Sequence, residues 1–183
     1  MQPAIFLDRD GVVNKVRLVD QEALSPRNLD ELFLEDGIIN FVDYFKSAGY
    51  LIFVITNQPD ISKNTLSMES VETIHRYLKD NVKIDDFRVC PHSQADGCNC
   101  RKPLPGMIID LAENWDIDLA NSWLIGDRWV DILAGNSAKL RTILLERPYS
   151  WKPTSSGEPP LGLAATEIVG SLETAKDHIN QDR

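Results

Sequence analysis

The chain has 183 residues, of which 43% are hydrophobic and 26% are charged. These proportions exclude a disordered or fibrous chain, and the length suits one domain over residues 1–183. With 28 acidic and 19 basic residues the formal net charge is -9, which argues against a nucleic acid partner. The longest apolar run, Tyr50 to Ile55, is too short to span a membrane, and no secretory leader precedes Asp8, so we expect a cytoplasmic protein.

Short apolar runs alternate with helical patterns along the first 148 residues. In chain order they predict a strand at 4–7, a helix at 35–49, a strand at 50–56, helices at 67–82 and 104–115, and strands at 122–127 and 141–146. Ser67 suits an N-cap, and Pro105 suits a first helical turn. Apolar runs without alternation are typical of strands buried on both faces. The sequence therefore predicts a doubly wound α/β fold of the Rossmann type, with a mostly parallel sheet and ligands at the carboxyl ends of its strands.

The composition changes after Trp151. Residues 152–162 are rich in proline, serine and glycine, which predicts a mobile linker or a segment that wanders over the surface. Beyond it, residues 165–179 have the pattern of a short strand and helix that pack on the sheet. We therefore expect a C-terminal tail over about 152–183 within the same domain.

Two carboxylates follow the first predicted strand. Asp8 and Asp10 are two residues apart, so their side chains point to the same side and repel each other. A hard divalent cation such as Mg²⁺ between them would make the pair favourable, and Asp127, at the end of another predicted strand, offers a third oxygen ligand. The alternative is that Asp8 caps a turn and Asp10 begins a loop before Gly11.

The three cysteines lie close together with a histidine. Cys90 and His92 form one pair and Cys98 and Cys100 a second, each with one residue between its members. Four such ligands predict a closed tetrahedral zinc site with a structural role. The alternative is a surface histidine beside three thiols that bind no metal. Disulfides are a poor explanation because the number of cysteines is odd.

Four motifs occur in one order over residues 4–148: DRDGVVN, TNQ after an apolar strand, CRKPLPGM and IGDRWVDILAG. With them the chain resembles the haloacid dehalogenase superfamily of phosphohydrolases. The cysteine loop directly before RKP makes it similar to the D-glycero-D-manno-heptose 1,7-bisphosphate phosphatases and the related histidinol-phosphate phosphatases. This resemblance implies a capless fold, a small phosphorylated substrate and a monomer.

The resemblance assigns the carboxylates their roles. Asp8 would be the nucleophile that attacks phosphorus and forms an aspartyl phosphate. Asp10 would protonate the leaving oxygen and then act as a general base on water. Mg²⁺ would be held by Asp8, the main-chain carbonyl of Asp10 and Asp127. Asp131, one helical turn later, would support these ligands rather than bind the metal.

The resemblance also implies a set of substrate contacts. Thr56 and Asn57 would bind the phosphoryl oxygens, and Lys102 would neutralise the charge of the phosphoryl group. The zinc loop would fix the main chain that aims Arg101 and Lys102 at the pocket. The whole set is Thr56, Asn57, Gln58, Arg101, Lys102 and Arg128. In the alternative reading Thr56 merely ends a strand, and Lys102 and Arg128 are solvated surface charges.

The substrate remains open because the chain departs from the family pattern. Residues 15–32 lack the Gly-Tyr pair expected there, and PDISKN follows the TNQ motif where Ser-Gly-Ile-Ala-Arg-Gly is usual. Arg17 and Arg27 would suit the second phosphate of a bisphosphate, whereas Asp20 or Glu22 would suit the cationic tail of histidinol phosphate. We expect hydrolysis of D-glycero-D-manno-heptose 1,7-bisphosphate at the 7-phosphate.

Three alternatives stand beside this expectation. One is a phosphatase for histidinol phosphate or another sugar phosphate. Another is a dehalogenase, which would need neither Mg²⁺ nor Asp10. The last is a catalytically silent, zinc-stabilised module that only binds a phosphorylated ligand.

Overall fold

The computed structural model describes residues 1–19 and 22–182, with the main chain alone at Glu22. Its strands are β1 (Ala4–Leu7), β2 (Arg17–Val19), β3 (Glu22–Leu24), β4 (Leu51–Asn57), β5 (Asp86–Cys90), β6 (Trp123–Gly126), β7 (Arg141–Leu145) and β8 (Glu167–Val169). Its α-helices are α1 (Ile38–Ser47), α2 (Met68–Val82), α3 (Gly106–Trp115), α4 (Trp129–Ser137) and α5 (Leu172–Gln181). Six strands form one sheet in the order β5-β4-β1-β6-β7-β8, and every pairing in it is parallel.

Both faces of the sheet are covered by helices, as the apolar runs predicted. Strand β1 is fully buried, with Ile5 and Leu7 in one core cluster and Ala4 and Phe6 in the other. Helices α1, α2 and α5 pack on the first face, and α3 and α4 pack on the second. This arrangement confirms the predicted doubly wound, mostly parallel fold.

The chain reverses direction across the sheet at β1. From β1 it proceeds to β4 and β5 on one side, and it then crosses over to β6, β7 and β8 on the other side. In open α/β sheets ligands bind in the crevice outside the carboxyl ends of the strands at such a switch point. Asp8 and Asp127 directly follow the two central strands, so both lie at this crevice.

The predicted elements are present with small shifts at their ends. Ser67 is the N-cap of α2, and its hydroxyl accepts a hydrogen bond from the Ser70 N–H at 3.1 Å. Helix α3 begins one residue after Pro105, which occupies the N-cap position instead of the first turn. The short strand and helix expected near the C-terminus are β8 and α5.

Two surface segments border the crevice. Strands β2 and β3 form an antiparallel hairpin, with Arg17 opposite Leu24, that the sequence did not predict. The Pro-rich segment after Trp151 is tied to the core by the Trp129 indole, which donates to the Lys152 carbonyl at 3.0 Å. Within the described part of the chain, no helix combines the length and apolarity that a bilayer crossing requires.

Candidate active site

Asp8 and Lys102 form a buried ion pair at the end of β1. The ammonium group of Lys102 lies 2.7 Å from Asp8 Oδ1 and donates to the Ile55 carbonyl at 3.0 Å. The Arg9 main-chain N–H also donates to Asp8 Oδ1, at 2.8 Å. Burial raises the pKa of Asp8 to about 6, although the Lys102 charge opposes the shift. The pair places a carboxylate and a fixed cation side by side at the floor of the crevice.

Asp127 and Asp131 bring two further carboxylates to the same point. Carboxylate oxygens of Asp8, Asp127 and Asp131 all lie within 4.8 Å of one another. Asp131 makes an ion pair with Lys102 at 2.7 Å and accepts from the Arg128 N–H at 3.0 Å. It sits so near β6 that a Cβ at Gly126 would come within 2.1 Å of it, which explains the glycine. Lys102 therefore pairs with two of the three clustered carboxylates, and Asp127 has no ion pair with it.

The charge balance of this cluster fits a divalent cation. Burial, together with the charges of Asp8 and Asp131, raises the pKa of Asp127 well above its usual range. One oxygen of Asp127, Oδ1, is buried and has no hydrogen-bond partner. An orphaned carboxylate oxygen among like charges is costly unless a cation neutralises it. Mg²⁺ accepts ligands of this kind, so Asp8 and Asp127 could hold it, with the Asp10 carbonyl as the third protein ligand that the family resemblance implies.

The side chain of Asp10 lies apart from the three clustered carboxylates and is surrounded by donors. Arg9 donates to both oxygens through Nε and Nη2, at 3.1 and 3.0 Å. Asn14 adds one bond at 3.0 Å, and Ser25 and Gln58 add one each at 2.8 Å. These bonds, with Arg9 as the largest favourable influence, lower the pKa of Asp10 in spite of its burial. The orientation of this carboxylate is therefore fixed before any substrate arrives.

Arg9 connects Asp10 to a histidine that the sequence did not single out. Arg9 is fully buried, and its Nη1 lies 3.3 Å from Nε2 of His75 on α2. The His75 ring stacks on Phe87, with 4.4 Å between the ring centroids. Because a guanidinium group can only donate, His75 must be neutral and accept through Nε2. Asp10, Arg9 and His75 form a continuous buried chain from the site to α2.

This neutral histidine predicts sensitivity to acid. Burial, and then the Arg9 charge, lowers the pKa of His75 from 6.5 to about 3. The unfolded chain binds a proton that the folded chain excludes, so the stability from neutral His75 is complete above pH 6.5 and is lost as the pH falls toward 3. The loss is at most about 1.4 kcal/mol per pH unit.

The measurement is the free energy of unfolding in urea between about pH 6.5 and 4. His75→Gln keeps an acceptor for Arg9 but cannot be protonated, so the decline in stability should be shallower than in the wild type. His178→Gln makes the same substitution at a partly exposed position on α5 and serves as the control; its decline should stay closer to that of the wild type than the decline of His75→Gln does. Identical declines in wild type and His75→Gln would contradict a neutral buried His75.

The side chains of the TNQ motif at the end of β4 hydrogen-bond mainly to other residues of the site. Gln58 bridges two site residues, since its amide donates to Asp10 and to the Thr56 hydroxyl at 2.8 Å each. Asn57 exchanges hydrogen bonds with the main chain of Lys102, at 3.0 and 3.1 Å. The side-chain amide of Asn57 thus holds the Lys102 main chain here, and its contact with a phosphoryl oxygen stays a prediction. Buried Thr56 remains beside the crevice with its hydroxyl accepting from Gln58.

A cavity of 680 Å³ opens above the carboxylates. Its described lining includes the expected residues Asp8, Asp10, Thr56, Asn57, Gln58, Arg101, Lys102, Asp127 and Arg128. Lys63 and Lys152, which the sequence did not single out, line it as well. Arg17 and Arg27 are not among the described lining residues, Asp20 lies outside the described part of the chain, and only the main chain of Glu22 is described.

Both arginines that are expected to bind substrate contact other residues of the protein in this structure. Arg101 donates to the His92 carbonyl at 3.1 Å and to the Ser155 hydroxyl at 3.0 Å, so it joins the cysteine loop to the C-terminal segment. The Arg128 guanidinium lies over the Tyr149 ring, 4.9 Å from its centroid. Both side chains border the cavity, and Arg101 also acts as a structural bridge at its rim.

The cysteine loop has the geometry of a tetrahedral metal site. Successive ligand atoms around Cys90, Cys98, Cys100 and His92 are 3.6, 3.4, 3.3 and 3.7 Å apart, and His92 faces the thiols through Nδ1. A Zn–S distance of about 2.3 Å implies S–S separations of about 3.8 Å around a tetrahedral ion. The four residues therefore fit zinc.

Sequence reasoning missed several residues around the carboxylates. Arg9 donates to Asp10 and to His75, and Ser25 donates to Asp10 from the segment after β3. The Tyr149 hydroxyl donates to Asp127 at 2.6 Å. The only local signal for Arg9 was its place between two acidic residues. Ser25 and Tyr149 lie far along the chain from their partners, so no spacing rule could connect them.

Comparison with known proteins places the fold and the cluster in one class. The HAD-hydrolase-like family model matches residues 99–148. A crystal structure of D,D-heptose 1,7-bisphosphate phosphatase from B. bronchiseptica, complexed with magnesium and phosphate, matches with a TM-score of 0.82 and 28% identity over 99% of each chain. The parallel sheet and its carboxylate cluster are those of a phosphoric monoester hydrolase of the haloacid dehalogenase type.

Curated relatives define the family more closely. The D-glycero-beta-D-manno-heptose-1,7-bisphosphate 7-phosphatase of Rhodopseudomonas palustris is 36% identical over 149 residues, which is 75% of this chain and 79% of that protein. The corresponding alpha-heptose enzyme of Campylobacter jejuni is 35% identical over 147 residues, or 78% and 81% of the two chains. The chain belongs to the family of D-glycero-D-manno-heptose-1,7-bisphosphate 7-phosphatases.

Proposed function

We propose that this protein is a Mg²⁺-dependent phosphatase that transfers the phosphoryl group of a small metabolite to Asp8 and then to water. The observation that carries the proposal is the cluster of Asp8, Asp127 and Asp131, in which Lys102 pairs with Asp8 and Asp131 and one buried oxygen of Asp127 has no partner. Bound Mg²⁺ would supply charge neutralisation for the phosphoryl oxygens. The remaining chemistry belongs to side chains of this protein.

Asp8 is the proposed nucleophile because it directly follows the central strand β1 and lines the cavity. Lys102, held by Asp8, Asp131 and the Ile55 carbonyl, supplies a fixed positive charge beside the attacking oxygen. Asp10, oriented by Arg9, is the proposed base for the attacking water and acid for the leaving oxygen. Its lowered pKa favours the base role, and the acid role requires that the negative charge of a bound phosphate raise that pKa. Two displacements through an aspartyl phosphate replace one difficult step.

The substrate we propose is D-glycero-D-manno-heptose 1,7-bisphosphate, cleaved at the 7-phosphate. The relatives from R. palustris and C. jejuni bear the names of phosphatases for its beta and alpha anomers, and their identities to this chain are nearly equal. The cationic side chains of Arg128 and Lys152 line the cavity and suit a second, unreacted phosphate, and Lys63 lines it as well but pairs with Asp60 at 3.1 Å. We also propose a monomeric, cytoplasmic protein with structural zinc in the cysteine loop.

Two other functions compete with this one. A histidinol-phosphate phosphatase would use the same carboxylates but would need acidic groups for the cationic tail, and Asp60 is an acidic lining residue away from the cluster. A non-catalytic module would bind phosphorylated ligands without turnover. Only the comparison of rates on a panel separates all three.

The test is phosphate release from both anomers of heptose 1,7-bisphosphate, histidinol phosphate and fructose 1,6-bisphosphate. Each is assayed with Mg²⁺ and with Mg²⁺ omitted. No chelator is added, because it could remove zinc as well as Mg²⁺, and the zinc content is measured in every assay. We expect Mg²⁺-dependent release from at least one heptose anomer, with kcat/KM at least about tenfold above histidinol phosphate. A preference for histidinol phosphate would overturn the substrate, and silence on the panel from folded, zinc-loaded protein would overturn catalysis.

A further inference from the structure

A turn after β7 holds the side chain of the candidate metal ligand Asp127. The Tyr149 hydroxyl donates to Asp127 Oδ2 at 2.6 Å, and the tyrosine is only 4% exposed. Tyr149 belongs to neither the four motifs nor the cysteine loop. Its hydrogen bond occupies one carboxylate oxygen and leaves the other, Oδ1, as the buried atom without a partner.

The same turn also holds the main chain of Asp127. The Ser150 hydroxyl donates to the Asp127 carbonyl at 2.6 Å and accepts from the Arg147 N–H at 2.8 Å. The Ser150 carbonyl accepts in turn from the Trp129 N–H at 3.0 Å. Both the side chain and the carbonyl of Asp127 are thus fixed by residues about twenty positions later in the chain.

The turn reaches the loop that follows β1 as well. The Arg147 guanidinium group makes an ion pair with Glu35 at 2.9 Å and donates to the Gly11 carbonyl at 3.3 Å. Gly11 has a φ of +97°, and a Cβ there would lie 2.0 Å from Asp127 Oδ2 and 2.9 Å from the Tyr149 hydroxyl oxygen. The tyrosine can therefore approach Asp127 only because residue 11 is a glycine.

We propose that Tyr149 is a positioning residue that sets the affinity of the site for Mg²⁺. This inference rests on the proposed function, because it assumes that Asp127 binds the metal. A carboxylate that turns about its Cβ–Cγ bond offers its oxygens in many directions, and the bond from Tyr149 selects one of them. Groups that orient metal ligands in this way typically contribute 10- to 100-fold to metal affinity, as order-of-magnitude values.

The experiment compares Tyr149→Phe with a matched control, Tyr44→Phe. Tyr44 lies on α1, and its hydroxyl donates to Asn180 at 3.0 Å, so this control removes one tyrosine hydrogen bond far from the cavity. Mg²⁺ binding is measured calorimetrically without substrate on zinc-loaded protein. We expect the Kd for Mg²⁺ to rise about tenfold or more in Tyr149→Phe and to stay at the wild-type value in Tyr44→Phe.

Kinetics supply a second readout that a purely structural role would not move. The Mg²⁺ concentration for half-maximal turnover should rise by the same factor as the Kd, while kcat at saturating Mg²⁺ recovers to within a few fold of the wild type. If Tyr149→Phe is only marginally stable, the rise in Tm on adding Mg²⁺ replaces calorimetry. We expect that rise to be smaller in Tyr149→Phe than in the wild type at the same Mg²⁺ concentration.

Two results would overturn the inference. Mg²⁺ binding by Tyr149→Phe within twofold of the wild type, with a lower Tm that Mg²⁺ raises as in the wild type, would show that Tyr149 only packs. That result would leave the proposed phosphatase intact. A wild-type protein that binds no Mg²⁺ would instead overturn the proposed function together with this inference.

Discussion

Asp8→Asn should abolish phosphate release while leaving the protein folded. An amide is a poor nucleophile and carries no charge for the metal, so we expect turnover to fall on the order of 10⁴-fold or more. In the wild type, an acyl phosphate on Asp8 should be detectable as a hydroxylamine-sensitive phosphate label after rapid quenching, and the variant should show none. Asp43→Asn, at an exposed ion pair between α1 and Lys83, is the matched control and should retain full activity.

The stability of this variant carries a separate expectation. Burial raises the pKa of Asp8 to about 6, against 3.8 for an unperturbed aspartate carboxyl. The folded state therefore binds its proton more tightly than the unfolded chain, and ionised Asp8 destabilises the metal-free fold increasingly as the pH rises from about 4 to 6. At pH 7 without Mg²⁺, Asp8→Asn should be at least as stable as the wild type. A lower Tm would contradict the destabilising effect of ionised Asp8, and appreciable turnover would contradict its role as the nucleophile.

The buried part of the fold could be predicted from sequence because its patterns have a direct physical cause. Strands covered on both faces must be apolar throughout, and this marked β1, β4, β6 and β7. Strand β5 escaped because it lies at the edge of the sheet, where DFRVC is half-buried and mixes charged with apolar residues. The β2–β3 hairpin escaped for a related reason, since β2 is exposed along its whole length and carries no burial pattern.

The residues of the candidate site also fall into those that a sequence pattern marked and those that it did not. Asp8, Lys102 and Asp127 follow strands or a distinctive loop, so their motifs could be recognised and the structure brings them together. The residues that orient them act through the tertiary fold and have no local signature. His75 supports Asp10 through Arg9 from α2, and Tyr149 supports Asp127 from beyond β7. Sequence motifs therefore pointed to the proposed reacting groups, and the structure was needed to find the residues that hold them.

The cysteine loop is connected to the candidate active site by a hydrogen bond at one end and by the chain itself at the other. The Cys90 carbonyl accepts from the Gln58 N–H at 2.8 Å, next to the bridge between Asp10 and Thr56. At its other end Cys100 directly precedes Arg101 and Lys102. The loop also packs against the start of α3, where a Cβ at Gly106 would lie 2.2 Å from the carbonyl oxygen of Asn99. Bound zinc would hold the cysteine loop in one conformation and would thereby stabilise all of these contacts.

Cys98→Ser should therefore cost both stability and activity. We expect the wild type to contain one zinc ion per chain by mass spectrometry of the metals, and the variant to contain little. A structural zinc ion supplies folding free energy directly, so losing it should lower Tm by roughly 10 °C or more. Turnover should fall by more than about tenfold, because Lys102 loses one of the two constraints on its main chain and small displacements of catalytic groups are costly.

The control for this experiment lies in the same loop. Ser93 is not a ligand, and its hydroxyl donates to Asp96 at 2.8 Å, so Ser93→Ala should cost about 1 kcal/mol and keep the zinc. The remaining constraint on Lys102, its pair of hydrogen bonds with Asn57, survives in both variants. A Cys98→Ser protein that lost zinc but kept its Tm and its turnover would show that Asn57 alone suffices to place Lys102. If Tm fell but turnover did not, zinc would stabilise the fold without positioning the ammonium group.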